Sequence, residues 1–429
     1  MFPLTYGQRW LVHVLEQQPD MAQPVQRIWR LERPFDSKAF LAAVCHVVAA
    51  HPALRMRLVR TEAGWAQSFP KAIPEVDALR VTGRTAADRA AYMRFVFAED
   101  AASPFDLTTE PPLRVKVVDV DGEIFVSASL DHIAGDDIAF DLIEREIGLA
   151  YRNERAGTPA FPSRSDELFR TYLREQVRFR DSESKNLEWW REKLAGAPLD
   201  RRREDESDWA EGAACSWTIA GETLTAATQA CRAARVSMTA ACVAAQACLR
   251  SELLGTGDVV VNIPVSNRLS AQDHLIIGNL SMLLHVRIRV PPRPDRLAFV
   301  QSVRDGLLEA MAHRNFDYAA LSRSVAEEAS ARGGEFCWRW GFSGITERAA
   351  PVPAPGLFAE RLDNCPSPGA LSIPTGSCVI TMRQRAGEIG FAMEAPALRD
   401  GADMAVRYLE LLGDLLDVRE LSGIPLEAQ

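Results

Sequence analysis

The sequence predicts an α+β protein built from two halves of similar plan. Three observations predict it. Between residues 1 and about 170, helical stretches and β-prone runs follow in the order helix, strands, strand, helix, as in an antiparallel or mixed sheet with helices on one side. Charge-rich helical sequence then fills 165–195, anchored by Tyr172, Leu173, Trp189 and Trp190. Beyond it, the helix-and-strand logic of the first half returns.

Thr5 to Gln17 reads as an amphipathic helix with Trp10, Val14 and Leu15 inward. Asp36 caps a second helix, whose Phe40, Val44, Val47 and Val48 form one stripe. Strands are expected near 54–60, 64–69, 113–119 and 124–130, the last after the turn signal Asp121-Gly122. The domain junction is placed in the charged helices, giving domains 1–170 and 171–429. The polar stretch 198–213 reads as an exposed loop. Helices near 222–235 and 238–254 precede the strand Val259 to Val265. A strand over 283–290 stops at Pro291-Pro292, which lack the N–H a ladder needs. A helix over about 296–313, strands near 335–344, 376–383 and 388–394, and a final helix from Ala402 to about Val418 complete the chain. The segment 346–375 is rich in Pro and Gly and lacks periodicity, and loops that long are uncommon unless functional.

The 429 residues supply enough core for two ordinary domains, and 47% hydrophobic with 25% charged residues is a globular composition. No apolar run reaches membrane-spanning length, and Met1-Phe2-Pro3-Leu4 opens no secretory leader, so a cytoplasmic protein without a membrane partner is expected. A net charge of −9 and a pI near 5.5 argue against nucleic acid. Arg201-Arg202-Arg203 runs straight into Glu204, Asp205 and Glu206 and reads as a solvated loop, with contact to an acidic carrier protein as the alternative. None of the 8 cysteines has CxxC spacing; Cys45, Cys242 and Cys248 sit in apolar helical patterns, as small core hydrophobes do. No Walker, HExxH, GxSxG or dinucleotide fingerprint occurs, so neither a metal nor a nucleotide is expected.

The stretch that carries chemistry is Asp131-His132-Ile133-Ala134-Gly135-Asp136-Asp137. It sets one imidazole among three carboxylates where the strand Ile124 to Leu130 hands over to a helix starting at Asp136 or Asp137. Phe140, Ile143, Ile147 and Tyr151 give that helix its apolar face. A histidine at the end of a sheet is open to a cleft, and its proton comes and goes near neutral pH. His132 is therefore the candidate general base or positioning group, and Asp131 beside it would strengthen it. His13 and His46 sit in helices, and His274, His285 and His313 lack a companion nucleophile at a useful spacing.

These residues resemble the condensation-domain superfamily of nonribosomal peptide synthetases, which shares its fold with chloramphenicol acetyltransferase. Its motif reads HHxxxDG, with the second His catalytic. Here His132 matches that His and Asp136 the Asp, while Asp131 replaces the first His and Asp137 the Gly. Pro3-Leu4-Thr5-Tyr6-Gly7-Gln8-Arg9-Trp10 resembles the family's opening pattern around a Gln, and His51-Pro52-Ala53-Leu54-Arg55 its second motif. Glu188 to Gly196 resembles the segment joining the two halves, and Asp258 to Arg268 the strand ending in the buried Arg. Gly278 with Arg287 resembles the next motif, although Met282-Leu283 replaces the usual Asn-Thr.

The resemblance implies two chloramphenicol-acetyltransferase-like lobes in a V-shaped pseudo-dimer, with a central tunnel and a crossover loop at about 346–375. It implies an ion pair between Asp136 and Arg268 that braces the site together with Asp137. As function it implies a free-standing, monomeric acyltransferase. The donor would be an acyl or aminoacyl thioester on the phosphopantetheine arm of an acyl or peptidyl carrier protein supplied in trans. The acceptor would be an amine or alcohol, small or carrier-bound, and no cofactor would be held by the protein itself. Two alternatives stay open. Asp131 and Asp136 fit part of the heterocyclisation motif DxxxxDxxS, though Ala139 lacks its hydroxyl. Motifs ending in two acids also occur in members that only recruit carrier or tailoring proteins.

Overall fold

The computed structural model of the protein describes residues 1–17, 24–62, 64–71, 75–81, 85, 96–100, 102–158, 165–200, 213–293, 295–336, 340–346, 357–362, 378–395 and 401–428. The chain forms two compact units. The first comprises Met1–Arg180, Ser266–Ser281 and Ala350–Ser372; the second comprises Asp181–Val265, Met282–Ala349 and Ile373–Gln429. The two-block division expected from the sequence, 1–170 and 171–429, is thus drawn differently: two later segments fold back into the first unit.

Among the described residues, the larger sheet of the first unit has five strands, ordered Phe358–Arg361, Val25–Leu31, Glu123–Leu130, Leu113–Val120 and Glu75–Val81. Its centre is Glu123–Leu130, antiparallel to both neighbours, with Leu130 opposite Val25 on one side and Leu113 on the other. Asp121 and Gly122 close the hairpin with φ of 48° and 88°. A two-residue turn of this hand matches the twist of its strands, and Asp-Gly tolerates it. One sheet face carries the cluster Ile28, Val96, Phe97, Val118, Val120 and Phe125. The helix Ser37–Ala50 begins at Asp36, whose carboxylate accepts from the N–H groups of Lys38 and Ala39. It buries Phe40, Val44, Val47 and Val48, the stripe read from the sequence. Of the long Pro- and Gly-rich segment, 347–356 and 363–375 lie outside the described residues. Phe358–Arg361 within it pairs antiparallel with Val25–Leu31, and Phe358 packs on Trp29 with ring centroids 5.2 Å apart.

The second unit holds a seven-stranded sheet, ordered Ser281–Arg289, Asp258–Ser266, Trp340–Thr346, Cys378–Arg385, Glu388–Ala395, Ala213–Ala220 and Glu427–Ala428. Met238–Leu254 is buried on nearly every side, as its run of Ala and Cys allows. Burial pushes the thiols of Cys242 and Cys248 up to about 12, so both behave as apolar groups. Gly401–Leu416 covers the same sheet, with Tyr408 against Trp217 at 5.8 Å. The strand expected over 335–344 resolves into two: Glu335–Phe336 pairs with Leu199–Asp200, and Trp340–Thr346 joins the large sheet. Trp338 and residues 201–212, most of the stretch expected as an exposed loop, lie outside the described residues. The charged helical region is two helices, Ser165–Gln176 and Arg180–Leu194, around the 3-10 turn Val177–Phe179.

Candidate active site: the turn that carries His132

The strand Glu123–Leu130 delivers the chain to the turn and the helix Asp137–Ala156 takes it away. Asp131 extends the ladder by one bond, its N–H donating to Pro112 O at 2.9 Å. Its carboxylate then turns back: Oδ1 accepts from Ile133 N–H at 2.9 Å, while Ala134 N–H donates to Asp131 O at 2.9 Å. This is an Asx turn inside a backbone turn. Burial pushes the Asp131 carboxyl up to about 6, against the Ile133 N–H and the charges of His132 and Arg114; Glu110 adds to the rise.

His132 is half-buried. Its Nδ1 lies 2.8 Å from Gly135 O. A carbonyl oxygen only accepts, so Nδ1 carries the proton. In the neutral ring Nε2 is then a bare lone pair, the form that takes a proton from a nucleophile. Gly135 leaves room for this geometry: a Cβ there would stand 2.5 Å from Leu130 Cδ2 and 3.2 Å from Ala139 Cβ.

Asp136 is the helix N-cap. Its Oδ1 accepts from Ala139 N–H at 2.9 Å and from Arg268 Nη2 at 2.7 Å, and its Oδ2 accepts from Leu280 N–H at 3.1 Å. The Arg268 side chain is fully buried and also donates to the carbonyls of Asp273, Ile276 and Gly278 at 2.6, 2.8 and 3.0 Å. A buried carboxylate and a guanidinium whose Nη1 and Nη2 make four hydrogen bonds between them brace the loop 268–280 against the turn. Asp137 stands apart from that pair, 4.0 Å from Arg27 Nη2, while Arg27 Nη1 lies 2.6 Å from Asp141.

The structure therefore brings Asp131, His132 and Asp136 onto one turn, with Arg268 on Asp136 and Asp137 on its outer side. Among the described residues the Asp131 carboxylate bonds to Ile133 N–H and not to the His132 ring. Two further residues join the turn that the sequence did not single out as site residues. Gln8 Nε2 donates to Ile133 O at 3.1 Å, and Asn279 Nδ2 donates to His132 O at 2.6 Å. Both side chains are buried. The Gln was visible only as part of an opening pattern, and Asn279 only as the residue after Gly278.

Three of the other histidines have structural partners that hold them in the fold. His51 is buried, with Nε2 2.5 Å from Glu146 on the helix that leaves the turn. His285 donates from Nδ1 to Asn262 Oδ1 at 2.7 Å, and burial pushes it down to about 3, so it is neutral. His313 stacks on Trp189 at 4.2 Å. Arg287 grips both oxygens of Asp258, at 2.9 and 2.6 Å, and the carbonyls of Lys193, Ala195 and Gly196. Among the described residues, no group of three or more His, Cys, Asp and Glu is arranged to hold a metal, and no helix is long and apolar enough to cross a membrane.

A mixed α/β architecture with this histidine turn defines a condensation domain. The family model for the condensation domain matches residues 1–334, and the chain belongs to that family, whose setting is nonribosomal peptide synthesis. N-(5-amino-5-carboxypentanoyl)-L-cysteinyl-D-valine synthase of Amycolatopsis lactamdurans is 27% identical over 305 residues, which is 70% of this chain and 8% of that protein. Phosphinothricin tripeptide synthetase PhsB of Streptomyces viridochromogenes is 27% identical over 239 residues, covering 54% of this chain and 20% of that protein. The chain thus spans a small part of the synthetases it matches. Among solved structures, the X-domain from teicoplanin biosynthesis in its complex with OxyB superposes with a TM-score of 0.78 at 22% identity, over 98% of this chain and 93% of that one. The first condensation domain of the calcium-dependent antibiotic synthetase, with a substrate analogue, gives 0.72 at 17% identity over 99% of both chains. These likenesses establish the mixed α/β, chloramphenicol-acetyltransferase-like fold expected from the sequence.

Proposed function

We propose that the protein is a free-standing condensation-type acyltransferase that joins a carrier-bound acyl or aminoacyl thioester to an amine, or to an alcohol. The observation that carries this reading is the His132 ring: its Nδ1–H is committed to Gly135 O, which leaves Nε2 as a proton acceptor. A thioester is already activated, so the protein has to align the partners and handle one proton. The acceptor nitrogen attacks the thioester carbonyl while Nε2 takes or orients its proton. The new C–N bond forms, the C–S bond breaks, and the thiol leaves on the phosphopantetheine arm, taking up a proton. A carrier protein in trans is the partner this chemistry requires. Asp136 and Arg268 act through the turn rather than on the substrate.

Incubation with carrier-loaded thioesters and candidate acceptors, followed by intact-protein mass spectrometry, tests the assignment. His132→Ala should abolish product while the folded protein persists. Undiminished turnover in that variant sinks it. A greater loss in Asp131→Ala than in His132→Ala would move the assignment to a cyclising enzyme built on Asp131 and Asp136. A second reading, recruitment without catalysis, is favoured by the half-exposed acid Asp137 where the family motif has Gly. The teicoplanin X-domain was captured with OxyB. On this reading His132→Ala binds its protein partner as well as the wild type, and no carrier-loaded substrate turns over.

A further inference from the structure

Two consecutive carbonyls of the turn, those of His132 and Ile133, are held by carboxamides from distant parts of the chain. Asn279 Nδ2 reaches the first at 2.6 Å and Gln8 Nε2 the second at 3.1 Å. Both amides are themselves fixed. Asn279 Oδ1 accepts from Ser281 N–H at 3.0 Å and Ser281 Oγ at 2.9 Å, and its main-chain O accepts from Thr5 Oγ1 at 2.8 Å. Gln8 Oε1 accepts from Thr5 N–H at 2.8 Å and from Gln67 Nε2 at 2.9 Å. These acceptors orient each carboxamide, so its NH2 group must face the turn. Gly7 permits the approach: a Cβ there would sit 2.0 Å from Ser281 O and 2.7 Å from Asn279 Oδ1.

We propose that Gln8 and Asn279 are positioning residues forming a two-amide clamp that sets the direction of the His132 ring. The two clamped peptide planes lie on either side of the Cα of Ile133, and the first begins at the Cα from which the ring projects. The ring's other tether, Nδ1–H to Gly135 O, closes within the same turn. If the plane at His132 tips, that short tether lengthens and the proton is free to move to Nε2, removing the acceptor lone pair. A hydrogen-bond donor is what the clamp requires. A carboxylate of the same shape would turn a lone pair toward each carbonyl and repel it.

This inference rests on the proposed role of His132, and its test keeps the two apart. Nitrogen NMR of the imidazole reports directly which ring nitrogen bears the proton, without substrate. In the full-length protein at neutral pH, His132 should show the Nδ1–H tautomer. Asn279→Ala and the isosteric Asn279→Asp should shift it toward a tautomer mixture, and Gln8→Glu should do so to a smaller degree. Turnover should fall about tenfold to a hundredfold with the donor KM little changed, since a small misplacement is costly to an aligned reaction. Thermal unfolding verifies that each variant is folded. A folded Asn279→Ala with an unshifted tautomer overturns the clamp even if His132 is catalytic. A shifted tautomer supports the clamp even if His132→Ala shows that turnover does not depend on the ring.

Discussion

Replacing Asp131 by Asn isolates a single charge at the base of the turn. Burial pushes the Asp131 carboxyl up to about 6, from an ordinary value of 3.8. Between those values the folded protein holds a proton that the unfolded chain has released. Stability contributed by this group therefore falls as pH rises through the window, and above it the folded state carries the full cost of a buried charge. At about 1.36 kcal/mol per tenfold step, the gap corresponds to about 3 kcal/mol. Asn keeps the Oδ1 that accepts from Ile133 N–H and cannot ionise. Asp131→Asn should match the wild type near pH 4 and exceed its stability by up to about 3 kcal/mol at pH 7.5. Urea unfolding at pH 4, 6 and 7.5, comparing midpoints, measures this. A difference that does not change with pH, or an Asn variant less stable at pH 7.5, refutes the reasoning. The same variant separates stability from function. If the reaction uses the ionised carboxylate, turnover falls in a protein that has become more stable, the trade-off expected where a site carries charge at the expense of the fold.

Two further predictions follow from buried groups. Arg268→Met leaves Asp136 as a buried carboxylate without its cation and should destabilise by about 3–5 kcal/mol, whereas Asp136→Asn/Arg268→Met should cost less than the sum of the single changes; a double-mutant cycle in urea that proves additive contradicts the pairing. His285, pushed down to about 3 from 6.5, is uncharged in the fold and charged in an acidified unfolded chain, so stability is lost as pH falls from 6.5 toward 3. His285→Phe should flatten that acid limb, and an unchanged slope in unfolding curves between pH 6 and 4 would show that another group carries it.

The parts of this fold written in local pattern were legible. Asp36 ahead of an apolar stripe announced a helix, Asp121-Gly122 announced a hairpin, and the apolar residues after Asp137 announced the helix that leaves the site. Elements whose logic is remote were not. Val25–Leu31 is an interior strand, but Arg27 and Arg30 interrupt its alternation, and their charges are answered by Asp137, Asp141 and Glu144 of a later helix and Glu360 of a later strand. Tyr318–Ala331 buries only Tyr318, Leu321, Val325 and Ala329 among Ser, Ala and Glu, too shallow a stripe to stand out. The same distinction runs through the site. His132 and its acids share one heptad of sequence, whereas Gln8 and Asn279 are neutral amides 125 and 147 residues from the carbonyls they hold. Nothing local marks a Gln in a helix or an Asn after a Gly as a positioning group.

The two carboxylates that flank His132 have been given opposite surroundings. The Asp136 carboxylate accepts from three donors at close range — Ala139 N–H, Leu280 N–H and the Arg268 guanidinium, itself tied to three carbonyls — so its charge is spent on holding the loop to the turn. Asp131 accepts one backbone N–H, and Arg114 acts on it only through the field, opposed by Glu110. A carboxylate with three donors in reach is a fastener, because removing its charge breaks a network. A carboxylate with one is free to exchange a proton near neutral pH, beside a ring whose Nδ1–H is committed to Gly135 O. If the chemistry at His132 depends on pH, the group that Asp131→Asn removes is the one that should move the acidic limb of the profile, and Asp136 should move only the stability.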